Sequence, residues 1–513
     1  MYSIHKEIRV PFKDGMEIAR ELKSKIKNPS LTILLTSIAD KEDIEELING
    51  LKTQMDVSNL IGCTTAGEFS KKGYINQNGV LLIAFDETCK VAIGHKKVEG
   101  NPINVGTSLA EDIKEKLKIK YPKINIDEKF LGFVFHDWNA DNEDGIINGL
   151  AERLSFPIIG GTAGDNLKFN RTYQIYQDKV LSGHVLLGVI SHRKRFEILY
   201  GHGYEPTECY ARITKAKGKK IYELDGKPAY KVYREMISKI SGIPEEHLIK
   251  YTPHDFKNLD FTILYPLGVQ DAYGNYRILF LNNVDNDYLE FKHGVNEGAF
   301  LILMKTTPEK TINSLHQEIS KLKNFKKPFI FIAECICREF IKNPQYSSEL
   351  VSKDFKKLFI NNKSYNSNNK NIINNCIGFL SYGESIVKDI LRFHNTLTFV
   401  GVAFDLEGDE DNINWKKALR YFEFSEDEVS IISELINSRL SARELLNRLD
   451  ISQTKLYGTL NHLEEKGIIK SDGKKPKTYY IGNIKEILEK KHIELESQHR
   501  FKKEKREYIL SML

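Results

Sequence analysis

A chain of 513 residues is too long for one core, and three or four domains are expected. With 41% hydrophobic and 28% charged residues it reads as an ordinary globular protein, and a net charge of +5 is too small for a polycation, so any nucleic-acid surface must be local. No apolar run has the length of a membrane span, and Met1-Tyr2-Ser3-Ile4-His5-Lys6 does not open a signal peptide, so a cytoplasmic protein without membrane partners is predicted.

Residues 31–36 form an apolar, β-branched strand, and residues 43–55 follow at helical period. A second strand runs into Ile61-Gly62-Cys63-Thr64-Thr65-Ala66-Gly67-Glu68. Residues 80–85 and 130–136 read as strands, and 106–117 and 145–154 as helices. A further short strand runs into Ile159-Gly160-Gly161-Thr162-Ala163-Gly164-Asp165. This alternation predicts an α/β (α+β) layered region. The two similar segments, each at a strand end and closed by an acid, hint at two related half-units. Their amides and hydroxyls beside a carboxylate make Thr64, Thr65, Glu68, Thr162 and Asp165 candidate contacts for a zwitterion. The simpler reading is a sharp turn between strands. Neither segment has the lysine and spacing of a phosphate-binding loop or a full three-glycine dinucleotide fingerprint, which argues against an ATPase or a dehydrogenase.

The six cysteines are scattered, as reduced thiols are. Cys335 and Cys337 share one face of an expected strand, but nothing completes a four-ligand set, so no metal or other cofactor is expected. Arg338, at the end of that strand, has the two-pronged geometry to clamp a carboxylate. Glu384 could receive an ammonium, and His394 and Asn395 add donors and acceptors. An ion pair of Arg338 with Glu339 or Glu384 is the structural alternative, and a lone histidine is usually a satisfied structural group. Residues 361–375 are asparagine-rich, as surface insertions are, and residues 405–412 form an acidic connection.

Gly62-Cys63-Thr64-Thr65-Ala66-Gly67-Glu68, Gly160-Gly161-Thr162-Ala163-Gly164-Asp165 and Ser182-Gly183-His184-Val185 resemble the amino-terminal half of the FIST sensory domain, named for F-box and intracellular signal transduction proteins. Cys337-Arg338, Phe379-Leu380-Ser381-Tyr382-Gly383-Glu384 and His394-Asn395-Thr396 are similar to marks of its carboxy-terminal half. The resemblance spans residues 31–404 and implies a module that senses a small ligand, an amino acid or derivative having been proposed. It supplies no reaction.

The segment 426–482 reads as three short helices and a two-stranded hairpin, the order of a winged helix-turn-helix domain. Val429, Ile432, Leu435 and Ile436 share one face of the first helix, expected over 427–437. Ser441 and Glu444 form a capping box for the second helix, which carries Leu445, Leu446 and Leu449. Ser452 caps a third, whose Leu456, Leu460 and Leu463 leave the opposite face to Thr454, Lys455, Tyr457, Gly458, Asn461 and His462, with Gln453 at the start. Amides and hydroxyls there can read base edges, and Lys474, Lys475 and Lys477 in the wing can meet phosphate. The segment is similar to the winged helix of archaeal sugar-responsive transcription regulators at Thr454-Lys455-Leu456-Tyr457, at Leu463-Glu464-Glu465-Lys466-Gly467 and at Gly473-Lys474-Lys475-Pro476-Lys477-Thr478-Tyr479. A charged helical pattern over 484–513 is expected to be a homodimerisation helix or a tail packed on its own domain.

The domains expected are a sensory half over 1–200, a second over 201–412, the winged helix over 420–483 and the final helix over 484–513. Together they describe a non-enzymatic, ligand-responsive regulator of transcription, with a small molecule and duplex DNA as partners. Two rivals remain open: an enzyme using Cys63 or Cys337 as nucleophile with His394 or His136 as base, and an adaptor whose winged helix docks protein.

Overall fold

The computed structural model describes residues 1–482 apart from 87, 123–128, 140–142, 192–193, 249–258, 271–273, 286, 293, 343–375, 389–390, 408–423, 436–437, 450 and 474–475. The asparagine-rich insertion, the end of the acidic connection, the final helix, Lys474 and Lys475 lie outside the described residues. Two compact units result, Met1–Gly408 and Asp409–Leu513.

Three six-stranded sheets in the first unit share one plan. In the first sheet, Thr32–Thr36 pairs parallel with Leu60–Thr64, while Gly79–Ala84 returns antiparallel between Thr32–Thr36 and the edge strand Tyr2–Glu7. In the second, Phe130–His136, Ile158–Thr162, His184–Ser191 and Val91–Lys97 repeat that pattern. The third repeats it with Pro328–Cys335, Cys376–Ser381, Phe399–Asp405 and Phe196–Gly201. The repeat is therefore threefold, where the sequence hints at two halves. The third copy of the motif is Ile377-Gly378-Phe379-Leu380-Ser381-Tyr382-Gly383-Glu384.

Each sheet is completed by a hairpin from another repeat. The hairpin of Glu68–Ser70 and Gly73–Ile75 leaves the first repeat and pairs with Cys376–Ser381 of the third. Gln174–Tyr176 with Lys179–Leu181 leaves the second and pairs with Leu60–Thr64 of the first. Glu384–Lys388 with Leu391–Asn395 leaves the third and pairs with Ile158–Thr162 of the second. Strands from both sides of residue 200 therefore share the second and third sheets. The same glycine recurs where each exported turn begins. A Cβ on Gly62 would lie 1.7 Å from the Leu34 carbonyl oxygen, on Gly160 1.8 Å from that of Val134, and on Gly378 2.1 Å from that of Ile332. No side chain fits at those distances without moving a backbone strand.

The inner faces of the sheets meet in one apolar core, to which the repeats contribute Ile33 and Ile61, Phe133 and Ile159, and Phe331 and Phe379. Phe331 stacks on Phe379 at 6.0 Å and meets Phe133 edge-on at 5.8 Å. Each fully buried ring contributes about 1.5–3 kcal/mol of transfer free energy. Helices Pro11–Lys25 and Lys41–Lys52 cover the first sheet, and Pro102–Lys120 and Glu143–Arg153 the second. Inserted into the third repeat, between Phe196–Gly201 and the helix Pro308–Ser320, is a lobe of eight strands with its own core around the helix Ala229–Ser241.

The second unit has the predicted helices at Glu426–Leu435, Ala442–Arg448 and Gln453–Glu465, and the predicted hairpin at Ile469–Ser471 and Thr478–Ile481. The Ser441–Glu444 capping box forms. A short strand, Leu440–Ser441, adds a third member to the hairpin sheet.

Gly378→Ala is expected to lower the unfolding free energy by about 1–3 kcal/mol, as overpacking against fixed backbone does. Denaturant melts of the full chain test this. A change within about 0.5 kcal/mol, the range of ordinary surface substitutions, would mean that the close approach is not a constraint.

Candidate ligand site and nucleic-acid interface

The three motif turns are stitched to one another through their backbones. The Ala66 amide donates to the Leu380 carbonyl at 2.9 Å and the Leu380 amide to that of Gly67 at 2.8 Å. Gly164 donates to Thr64 at 2.9 Å, and Thr162 to Gly383 at 2.8 Å. The motif acids are satisfied within this knot. Glu68 accepts from the hydroxyls of Thr65 and Ser37, and burial pushes its carboxyl up to about 8. Glu384 accepts from Ser381 at 2.6 Å and from the Thr398 hydroxyl at 2.7 Å, and burial raises it well above the usual carboxylate range. Asp165 accepts from the Tyr382 hydroxyl at 2.7 Å and from the amides of Phe169, Asn170 and Arg171. Thr64 bonds the Tyr173 backbone. These contacts fit the sharp-turn reading of Thr64, Thr65, Glu68 and Asp165.

Arg338 is fully buried, and its donors are committed to protein acceptors. Its Nε donates to Glu334 at 2.8 Å, and its terminal nitrogens donate to the carbonyls of His202 and Thr311 at 2.6 and 2.9 Å and to the Ser314 hydroxyl at 3.2 Å. Lys342 joins the network, 2.6 Å from both Glu334 and Glu339. Burial would raise the Glu334 carboxyl, but Lys342 and Arg338 outweigh it and hold the group low. The ion-pair alternative for Arg338 is the one its contacts support, with Glu334 rather than Glu339 or Glu384 as partner.

A second buried polar cluster is built differently. Ser385 Oγ lies 3.0 Å from His136 Nε2 and 2.8 Å from His394 Nδ1. His394 Nε2 lies 3.3 Å from Thr162 Oγ1 and 3.9 Å from Glu143 Oε1. The Lys292 ammonium, from the inserted lobe, sits 3.0 Å from Glu143 Oε1 and 4.3 Å from the centroid of the Trp138 ring. Trp138 continues into Tyr382 and Phe169, with centroids at 5.0 and 5.3 Å. All of these polar groups are buried; among the described residues His136 Nδ1 has no hydrogen-bond partner, and Glu143 has the Lys292 ammonium as its close charge partner. The amide of Asn395 and the hydroxyl of Thr396, in and beside the hairpin strand that carries His394, lack a hydrogen-bond partner there too. Burial, and then the neighbouring Lys292 charge, push His136 down to about 3, so it is neutral. Burial raises Glu143, with Lys292 opposing. Of the expected ligand contacts, Thr162 and His394 join this cluster. The sequence points to His136 only as a base, and to Trp138, Glu143, Lys292 and Ser385 not at all. Cys63 is fully buried, which raises its thiol and opposes the thiolate that a nucleophile needs.

On the third helix of the second unit, Gln453, Thr454, Lys455, Tyr457, Asn461 and His462 are exposed, while Leu456, Leu460 and Leu463 are buried. Among the described residues a Cβ at Gly458 would meet nothing within 4 Å. Lys455 pairs with Asp427 at 2.6 Å and Lys477 with Glu464 at 3.0 Å. Exposed pairs of this kind are worth about 0–1 kcal/mol, little enough for a phosphate to displace them.

Arg338→Met would leave buried carboxylates short of a partner, and a loss of about 3–5 kcal/mol in unfolding free energy is expected without any ligand. Chemical denaturation of the variant checks this, and an unchanged midpoint would free Arg338 for a ligand role.

Comparison with known proteins agrees with this division. Residues 30–227 match the FIST N domain, 229–386 the FIST C domain, and 419–485 the sugar-specific transcriptional regulator TrmB. An uncharacterised protein of Methanocaldococcus jannaschii is 47% identical over 517 residues, covering 100% of both chains. The matched domains are of sensor and transcription-regulator types. No described helix is long and apolar enough to cross a membrane. The chain belongs to the FIST-domain proteins, and carries a TrmB-type winged helix behind its FIST N and FIST C domains.

Proposed function

We propose that this protein is a cytoplasmic, ligand-responsive transcription regulator. Its FIST body takes a small polar molecule at the cluster of His136, Glu143, Lys292 and His394, and its winged helix takes duplex DNA. The observation that carries the DNA half is the third helix, which sets six polar or aromatic side chains on the exposed face opposite three buried leucines. The ligand half is supported by buried polar atoms without directed partners, each of which costs about 1–3 kcal/mol until something bonds it. Occupancy would shift DNA binding to the extent that the ligand prefers one arrangement of the protein over another.

Titration of the full chain with labelled duplex DNA across a salt series tests the reading. Affinity should fall steeply with salt, and the joint change of Lys474, Lys475 and Lys477 to alanine should flatten the slope by about 0.9 for each phosphate left without its lysine. Gln453→Ala should instead alter which sequence is preferred. Absence of association even at low salt would overturn the regulator reading.

A further inference from the structure

The two buried charge networks of the body differ in how many hydrogen bonds hold them. Around Arg338, the guanidinium donates to Glu334, His202, Thr311 and Ser314, as a permanent buried pair requires, although Glu339 Oε2 beside it has no partner among the described residues. Glu143 and Lys292 make a charge contact at 3.0 Å, and among the described residues no other side chain is shown donating to the Glu143 carboxylate. The Glu143 carboxylate and the Lys292 ammonium are both buried, so the pair is closed off from solvent. Behind the ammonium stands the Trp138 face, at cation–π distance, backed by Phe169 and Tyr382. A carboxylate beside an indole face is a cage for an alkylammonium group, and here the chain's own lysine stem fills it.

Lys292 follows the strand Leu289–Phe291 of the inserted lobe, whereas Glu143 and Trp138 belong to the second sheet's repeat. The lobe touches that repeat a second time through Arg277, which pairs with Asp144 and donates to the His394 carbonyl at 3.2 Å. A molecule that takes over the cage thus removes one of the charged ties between lobe and body, which among the described residues also include Arg277–Asp144 and Glu205–Lys310.

We propose that Lys292 is a resident stand-in for an external ligand, and that the site takes a small organic primary ammonium, which displaces the lysine from Glu143 and Trp138 and loosens the inserted lobe. This rests on the ligand-sensor reading above and assigns the chemistry of its site. An anion drawn to Lys292 is the competing occupant. It is disfavoured because the Lys292 ammonium already has the Glu143 carboxylate against it and the neighbouring His136 is neutral. The two occupants predict opposite effects of removing the lysine. A cation competes with Lys292 and gains from its loss, whereas an anion depends on it.

The experiment is a thermal-shift titration of the full chain with n-butylammonium chloride, sodium butyrate and 1-butanol, at matched ionic strength, on the native chain and on Lys292→Ala, Lys292→Met and Glu143→Gln. Butylammonium should raise the unfolding midpoint saturably, with at least a tenfold lower half-saturation in Lys292→Ala than in the native chain. Butyrate and butanol should have no such effect, and Glu143→Gln should remove the response to butylammonium. If Lys292→Ala does not fold, Lys292→Met must show the same direction of change. Stabilisation by butyrate that is lost with Lys292 would overturn the proposal in favour of an anion site. Equal responses of all variants to butylammonium would overturn the cage itself. DNA titration of the same samples separates the two readings: intact DNA binding without an amine response sinks the cage alone, and an amine response without DNA binding sinks the regulator.

Discussion

Everything in the FIST body depends on the knot where three exported turns hydrogen-bond to one another. Buried backbone amides and carbonyls must be paired, and here the partners of Ala66, Gly164 and Thr162 lie on turns from different repeats. None of the three sheets is complete without a hairpin from another repeat, so the repeats cannot fold as independent domains. The glycines at 62, 160 and 378 allow each turn to leave its strand against a neighbouring carbonyl. The motif acids accept there from Thr65, Ser381 and Tyr382, and also from Ser37 and Thr398 outside the motifs. Of the two readings of these turns, a ligand contact or a sharp turn, the contacts of Thr65, Glu68 and Asp165 fit the turn.

That closure makes the remaining unsatisfied groups informative. Arg338 is held by hydrogen bonds to four acceptors, whereas Glu143 meets Lys292 in one close contact. Leaving His136 Nδ1 and the Asn395 amide without hydrogen-bond partners among the described residues is costly, and such cost is tolerated at sites that await something. The cluster lies where the hairpin bearing His394, the start of the helix Glu143–Arg153 and the inserted lobe come together. A change there is therefore placed to alter how the lobe is held.

Legibility followed the range of the interactions. The winged helix could be read almost whole, because caps, periodicity and a turn between two short strands are local. Only the pairing of Leu440–Ser441 with Thr478–Tyr479 escaped, since it joins segments far apart in the chain. Strand and helix alternation in the body was equally visible. The third repeat was not, because Phe379, Leu380 and Tyr382 replace the small residues of the first motif and a whole lobe interrupts its sequence. Arg338 stood out as a charge beside an apolar strand, but whether it met ligand or protein depended on Glu334, His202 and Thr311, which no spacing rule connects. Lys292 gave no signal at all, since its meaning comes from Trp138 and Glu143 in another repeat.

The claim that this cluster is the sensing site can be tested through its own reporter. The chain has two tryptophans, Trp138 and Trp415, so Trp415→Phe leaves the indole of the cluster as the sole tryptophan. Metabolites that raise the unfolding midpoint of this variant should also change Trp138 emission, with the same half-saturation. A compound that stabilises the protein saturably and leaves Trp138 emission untouched would place the ligand elsewhere and contradict the account.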